Sequence, residues 1–242
     1  MIILNLGCGS KASSNPDVVN IDWSIALRMK KNPLTRSLAP IFFRGERYNR
    51  LKLLPSNIMV WNLSKGIPFE SNSVDVVYHS HLLEHLDRPV ADSFLLECKR
   101  ALKPGGVLRI VEPDLEFLCR EYMSHITISE HNDHEAKQHD HYIASMIEMS
   151  VRKEAYGTSQ QAPLRRMIEN IVLGDARKRG ETHQWMYDRV SLKSKLQKLG
   201  YSTVYQQDYH TSKIANWMEY KLDLDAHGNE YKPGSLYIEG IK

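Results

Sequence analysis

Leu4-Asn5-Leu6-Gly7-Cys8-Gly9 reads as the end of a buried strand running into a Gly-x-Gly turn. The strand, Ile2 to Leu6, is short and ends at glycine, the pattern of a parallel strand covered on both faces. Gly7 and Gly9 carry no side chains, so a ligand can approach the main chain closely. In open α/β sheets, ligands bind beyond the carboxyl ends of the strands, where the strand order reverses. Val18 to Ile21 is a second apolar run and ends at Asp22. A carboxylate there accepts hydrogen bonds from both hydroxyls of a ribose. The first two strands therefore point to a nucleoside-containing ligand.

A dinucleotide is disfavoured. Its fingerprint is Gly-x-Gly-x-x-Gly opening a helix that faces a pyrophosphate. Here Gly9 is followed by Ser-Lys-Ala-Ser-Ser-Asn-Pro, with no third glycine in place. The stretch from Gly9 to Asp22 includes Pro16 and is too short for an ordinary crossover helix.

Further strands are expected at Ile58 to Leu63, Val74 to Tyr78 and Val107 to Val111. Asp92 to Leu102 reads as a helix, with apolar residues recurring at three and four and Pro104-Gly105-Gly106 ending it. Residues 115–182 look mostly helical with a polar, His-rich centre, and Pro163 sits in the first turn of a helix running to Leu173. Ser191 to Leu199 is another helix, and Tyr201 to Gln207 and Ser235 to Ile241 are the last strands. The expected fold is α/β: a doubly wound, mostly parallel seven-stranded sheet with helices on both faces, the last strand antiparallel and a helical insertion after strand 5. A chain of 242 residues suits one such domain over 1–242, with a basic insertion at 24–56 and the His-rich insertion at 115–182 on the substrate side.

Composition excludes several classes. With 42% hydrophobic and 25% charged residues, the chain is globular rather than disordered. A net charge of +3 provides no global basic field, so DNA is excluded as a partner and RNA is disfavoured. No apolar run approaches the roughly 20 residues of a membrane span, and the start lacks the pattern of a secretion signal. Cys8, Cys98 and Cys119 form neither a disulfide framework nor a zinc motif, so a cytoplasmic location is expected.

Four segments, LNLGCG (4–9), VVNID (18–22), PFESNSVDVVYHSHLLEHL (68–86) and ECKRALKPGGVLRIVEPD (97–114), together resemble the class I S-adenosylmethionine-dependent methyltransferases. HQWMYD (183–188) and SLYIEGIK (235–242) extend the resemblance to a bacterial subgroup associated with surface-polysaccharide and other glycan modification. The resemblance implies S-adenosylmethionine as cofactor. It places Asn5, Gly7, Cys8 and Gly9 by the methionine part, Asp22 on the ribose hydroxyls and Trp23 beside the adenine. Asn62 and Leu63 fall where an acidic residue and its neighbour meet the adenine edge. His79 falls after the fourth strand, where the backbone meets the methionine amino group. Asn5 and Asn62 depart from the more usual aspartates. The loop 10–17 replaces the expected first helix and no helix precedes the first strand, so other residues must cover the cofactor; a homodimer is one way to do so.

Methyl transfer to a sugar hydroxyl needs a base, because a neutral hydroxyl is a poor nucleophile. His81, just past the fourth strand, and His183, ahead of Trp185 and Tyr187, are the candidates; packing is the alternative for each. His85 reads as a structural helix histidine. His131, His134, His139 and His141 crowd one polar stretch but match no compact metal motif, so no metal is assigned and a solvated loop or lid is expected. Residues 24–56 hold eight Lys or Arg and one acid, a local balance of +7 that leaves −4 for the remainder. Interrupted by Ile41-Phe42-Phe43, this segment is either a solvated insertion or a lid for an anionic acceptor, and membrane-surface docking is a further reading. The expected reaction is O-methylation of a sugar hydroxyl on a small-molecule or glycan acceptor. The alternatives are an N- or phosphate-directed small-molecule methyltransferase and a catalytically silent binding module.

Overall fold

The computed structural model describes residues 1–37, 46–149 and 182–242. Its centre is a seven-stranded sheet: β1 (Ile3–Leu6), β2 (Val18–Asp22), β3 (Ile58–Val60), β4 (Val74–Ser80), β5 (Leu102–Pro113), β6 (Thr203–Gln207) and β7 (Ser235–Ile241). The spatial order is β3-β2-β1-β4-β5-β7-β6. β1 to β5 pair in parallel, and β7 runs antiparallel to both of its neighbours. The doubly wound, mostly parallel sheet with an antiparallel last strand is thus observed.

The helices are α1 (Ile25–Lys31), α2 (Pro33–Arg36), α3 (Glu46–Leu53), α4 (Arg88–Ala101), α5 (Leu115–Ser129), α6 (Asp133–Ala136), α7 (His139–Met149) and α8 (Arg189–Lys198). Several ends differ from the sequence reading for local reasons. α4 stops at Ala101 because Leu102 is already extended, and Pro104-Gly105-Gly106 lies inside β5, where the register against β4 shifts. β3 ends early because the Asn62 side chain accepts from the Ser64 amide and starts a 3-10 turn, Leu63–Lys65. α8 starts earlier than Ser191 because Asp188 caps it, in a reciprocal box with Ser191. The helix expected from Pro163 to Leu173 lies outside the described residues.

The two faces of the sheet are covered differently. On one, Phe94, Leu95 and Cys98 of α4 and Leu192 and Leu196 of α8 pack with Leu4, Leu6, Val77, Leu108 and Ile238. On the other, α1 reaches only the β3 edge, where Leu27 joins Cys8 and Ile58. The middle of that face is covered by the connection between β6 and β7, residues 208–234. Its Ile214, Trp217, Tyr220 and Leu222 pack with Ile3, Val76, Tyr78 and Tyr237. Helices are thus present on both faces, on this one at its edge among the described residues. Among the described residues its centre carries a long connection whose helical part is a 3-10 turn, Trp217–Tyr220.

The helix-free crossover from β1 to β2 is held by side-chain amides. Asn5 Nδ2, buried in β1, donates to Lys11 O (2.9 Å) and to Asn20 Oδ1 (3.0 Å). Asn20 in turn accepts from the Ser13 amide and donates to Ser13 O, and Ser13 Oγ donates to Tyr220 O. Asn5 thus stands where an aspartate is more usual because the loop needs a donor there. Asn5→Asp would aim a buried carboxylate at two acceptors, and is expected to cost about 2 kcal/mol. The check is a lower urea midpoint at unchanged denaturant slope; an unchanged midpoint would refute the bracing role.

Candidate functional site

The strand order reverses between β1 and β4, whose connections leave in opposite directions. A cleft of about 180 Å³ opens at their carboxyl ends. Asn5, Gly7, Cys8, Gly9, Ser10, Tyr78, Ser80 and His81 line it from the sheet, and Lys11, Tyr231 and Lys232 close it.

Gly7 and Gly9 both lie in the left-handed region, at φ +64° and +53°. A Cβ at Gly7 would come within 3.0 Å of Leu82 Cδ1, whereas a Cβ at Gly9 would meet nothing within 4 Å. Gly7 is therefore fixed by packing, and the space over Gly9 is open to a ligand. Asp22 at the end of β2 is turned into this turn. Its Oδ2 accepts from the Gly9 amide (2.9 Å) and its Oδ1 from the Ser24 amide (2.6 Å). Trp23 follows with 42% of its surface exposed and the Arg28 guanidinium 4.6 Å from its ring. Cys8 is buried, and burial pushes its thiol up to about 12, so it remains a neutral wall. Asn62 and Leu63 are half-buried at the end of β3 and do not line the cleft.

His79 does not follow β4 but lies within it, paired with Leu6 and Ile110, because the strand runs on to Ser80. Its ring is wholly buried, edge-on to Phe94 and 3.3 Å from Glu112, and burial lowers its pKa to about 4. Only its backbone can face a ligand.

His81 is held at φ +51°, an uncommon conformation for a residue with a side chain, by its amide donating to Val111 O (2.8 Å). Its Nε2 is 3.0 Å from Ser235 Oγ, whose own proton goes to Lys232 O. Nε2 is therefore the N–H donor, and Nδ1 carries the lone pair, 3.5 Å from Glu84 Oε1. Burial first, then the nearby Lys232 charge, lowers the His81 pKa to about 3, so the ring is neutral.

Glu84 is the residue of this region that the sequence reading passed over. It sits in the 3-10 turn Leu83–His85 at 1% exposure. Neither of its carboxylate oxygens meets a hydrogen-bond donor. Burial, then the Glu112 charge, pushes its carboxyl well above the ordinary range. Glu112 itself is buried on β5 and accepts from the Leu83 and Glu84 amides (3.1 and 3.2 Å). The segment ahead of α8 folds back here: the Gln184 and Trp185 amides donate to Glu84 O (2.6 and 3.3 Å). This return brings His183 beside His85, with ring centroids 5.1 Å apart.

Lys11, Glu84, Tyr231 and Lys232 were not singled out from sequence. The Leu-Glu-His-Leu motif could have pointed to Glu84. The others reach the cleft only through long-range contacts; Lys11 Nζ, for example, donates to Leu224 O and lies 4.5 Å from the Tyr231 ring. The remaining histidines do not converge. His139 stacks on buried His125 between α5 and α7, while His131, His134 and His141 are exposed, and the stretch is helical rather than an open loop. In the basic segment, Lys30 and Lys31 donate to backbone carbonyls of Leu54 and Ser56. Ile41, Phe42, Phe43 and Arg44 lie outside the described residues. No described helix is long and apolar enough to cross a membrane.

Residues 4–110 match a protein family described as "Methyltransferase domain". An uncharacterized methyltransferase of Schizosaccharomyces pombe is 30% identical over 125 residues, which is 48% of this chain and 41% of that protein. The match thus spans about two fifths of the relative's length. Among solved structures, a SAM-dependent methyltransferase from Thermotoga maritima, described as a possible histamine N-methyltransferase, is 16% identical with a TM-score of 0.44 over 100% of this chain and 82% of that one. A SAM-dependent methyltransferase from Archaeoglobus fulgidus is 14% identical with a TM-score of 0.42 over 99% and 85%.

Proposed function

We propose that residues 4–110, which match the methyltransferase domain family, bind S-adenosylmethionine as class I methyltransferases do, and that the chain 1–242 works as one unit in methylating a hydroxyl of a sugar or similar small acceptor. The observation that carries the reading is the cleft at the strand-order reversal, with open space over Gly9 and the Asp22 carboxylate beneath it. The residues present fit the cofactor. Gly7 and Gly9 give main chain for close approach, Asp22 offers acceptors for ribose hydroxyls, and exposed Trp23 offers a flat face for the base. Lys11 and Lys232 give the cleft positive charge, the complement of an amino-acid carboxylate. Asn62 and Leu63 remain proposed for the adenine edge and the His79 backbone for the amino group.

When bound, the cofactor supplies an electrophilic methyl group on positive sulfur. The protein's part is to align the acceptor, exclude water and take the acceptor's proton. His81 lines the cleft and is proposed as base or acceptor contact, although a lone pair turned to Glu84 and a pKa lowered to about 3 make it a weak base; His183 and exposed Trp185, backed by the Arg88 guanidinium at 4.3 Å, are proposed to hold the acceptor. Free Cys8, Cys98 and Cys119 suit a reducing compartment, and the cytoplasm is the proposed location.

Calorimetric titration with S-adenosylhomocysteine tests the reading: saturable binding is expected, and its absence would favour a silent module. His81→Gln is expected to lower turnover on the true acceptor by about 100-fold while S-adenosylhomocysteine still binds. Turnover within about threefold of wild type would remove His81 from the chemistry.

A further inference from the structure

We propose that Glu84, His85 and His183 bind one divalent transition-metal ion of the zinc and cobalt class, behind His81 of the cleft lining. Each residue offers a ligand atom, and the three atoms lie within 4.8 Å of one another. Glu84 Oε1 and His85 Nε2 are already 3.7 Å apart. Ligands on a tetrahedral zinc at about 2.0–2.2 Å stand about 3.4 Å from each other, so small side-chain rotations close the site.

Three independent features prepare these residues for a cation. First, each imidazole has its other nitrogen on a backbone carbonyl: His85 Nδ1 on Thr182 O (3.2 Å) and His183 Nδ1 on Met149 O (2.9 Å). A carbonyl only accepts, so both Nδ1 atoms carry the proton and both Nε2 atoms present a lone pair. That is the arrangement which orients metal-ligating histidines. Second, Glu84 is a carboxyl group at 1% exposure that takes no donor from the rest of the protein and is held protonated against Glu112, and a bound cation would replace that proton and balance the charge. Third, the two ligand-bearing segments are pinned together by the Gln184 and Trp185 amides on Glu84 O. Glu112 adds a second carboxylate in favour of a cation; Lys232, which opposes one, and His79, His81 and Tyr187 are further ionisable groups that interact with Glu84.

Two histidines and one carboxylate suit zinc and its neighbours better than calcium or magnesium, which prefer oxygen donors. Three protein ligands also leave a coordination position open for water or an acceptor oxygen. A hydroxyl or vicinal-diol acceptor bound there would lose its proton more readily. That role rests on the methyl-transfer reading; metal binding does not.

The test is a cobalt(II) titration of chelator-stripped protein followed by visible absorption, with S-adenosylhomocysteine calorimetry on the same samples. One equivalent of cobalt is expected, displaced by zinc. His85→Ala, His183→Ala and Glu84→Gln are each expected to weaken it at least about tenfold. Variants that still bind S-adenosylhomocysteine and unfold cooperatively are folded; should His85→Ala fail that check, His183→Gln carries the comparison. Wild-type protein that binds S-adenosylhomocysteine but takes up no stoichiometric cobalt would overturn the site and leave a proton shared between Glu84 and Glu112. Cobalt uptake indifferent to the His85 and His183 substitutions would overturn it too. Cobalt uptake without S-adenosylhomocysteine binding would instead defeat the methyl-transfer reading and keep the metal site.

Discussion

Arg109→Ala is expected to lower the free energy of unfolding by about 3–5 kcal/mol, a large share of the roughly 5–15 kcal/mol that holds an ordinary domain folded. The Arg109 side chain is wholly buried on β5 and directs its donors to the β6–β7 connection and to Glu239 of β7. Nε donates to Asp223 Oδ2 (2.8 Å), one terminal nitrogen to Glu239 Oε1 (2.8 Å) and Thr211 O (2.9 Å), and the other to Asp208 O (2.8 Å). The guanidinium also lies 4.9 Å and 5.3 Å from the ring centres of Trp217 and Tyr237. Its removal takes away the cation that balances the buried carboxylates of Asp223 and Glu239, leaving them only neutral donors such as Tyr78 and Trp217 on Asp223 and the Lys213 amide on Glu239. Because Tyr231 and Lys232 belong to the same connection, the variant should also bind S-adenosylhomocysteine more weakly. Arg109→Lys keeps the charge but not the fork of donors, so about half of the loss should persist. Urea unfolding of Arg109→Met, Asp223→Asn and the double variant checks the coupling. A coupling below about 0.5 kcal/mol would mean that the ion pair does not anchor the connection.

The contrast between the two faces explains what the sequence could and could not disclose. β1, β2 and β4 are covered on both sides, so their residues are apolar in succession and stand out in a short window. α4 announces itself by spacing, since Phe94, Leu95, Cys98 and Ala101 all face the sheet. The β6–β7 connection has no period. Ile214, Trp217, Tyr220, Leu222 and Leu224 are buried at irregular intervals because the chain between them turns through left-handed Asn216 and Lys221. Its anchor, Arg109 to Asp223, spans 114 positions, and no local pattern encodes such a pairing. The same limit applies at the site. Gly7, Gly9 and Asp22 were readable because a turn and a strand end dictate them. Glu84 was not, although it neighbours His85 in a quoted motif: a 3-10 turn, rather than the helix expected there, rotates its carboxylate inward beneath His81. Asn5 departs from the more usual aspartate, and what it gives the fold is the two protons on its amide, whose acceptors Lys11 O and Asn20 Oδ1 no local pattern announces.

Asp22→Ala is expected to weaken S-adenosylhomocysteine binding by about 1–3 kcal/mol, or roughly 5- to 150-fold, the scale for losing hydrogen bonds to a charged group. The structure gives this substitution a more pointed companion. Both carboxylate oxygens already accept backbone protons, from Gly9 at the glycine turn and from Ser24, the cap of α1. A carboxylate has about four lone-pair sites, so two remain for ribose hydroxyls without release of either amide. Asparagine has the same shape but only one accepting atom, and its NH2 group would have to face one of those amides, donor against donor. Asp22→Asn is therefore expected to bind no better than Asp22→Ala, despite being the conservative change, and to lower the thermal midpoint as well. Calorimetry at fixed ionic strength decides this. If Asp22→Asn kept wild-type affinity, a single acceptor would suffice, and the carboxylate would not be joining the glycine turn, α1 and the ribose as argued.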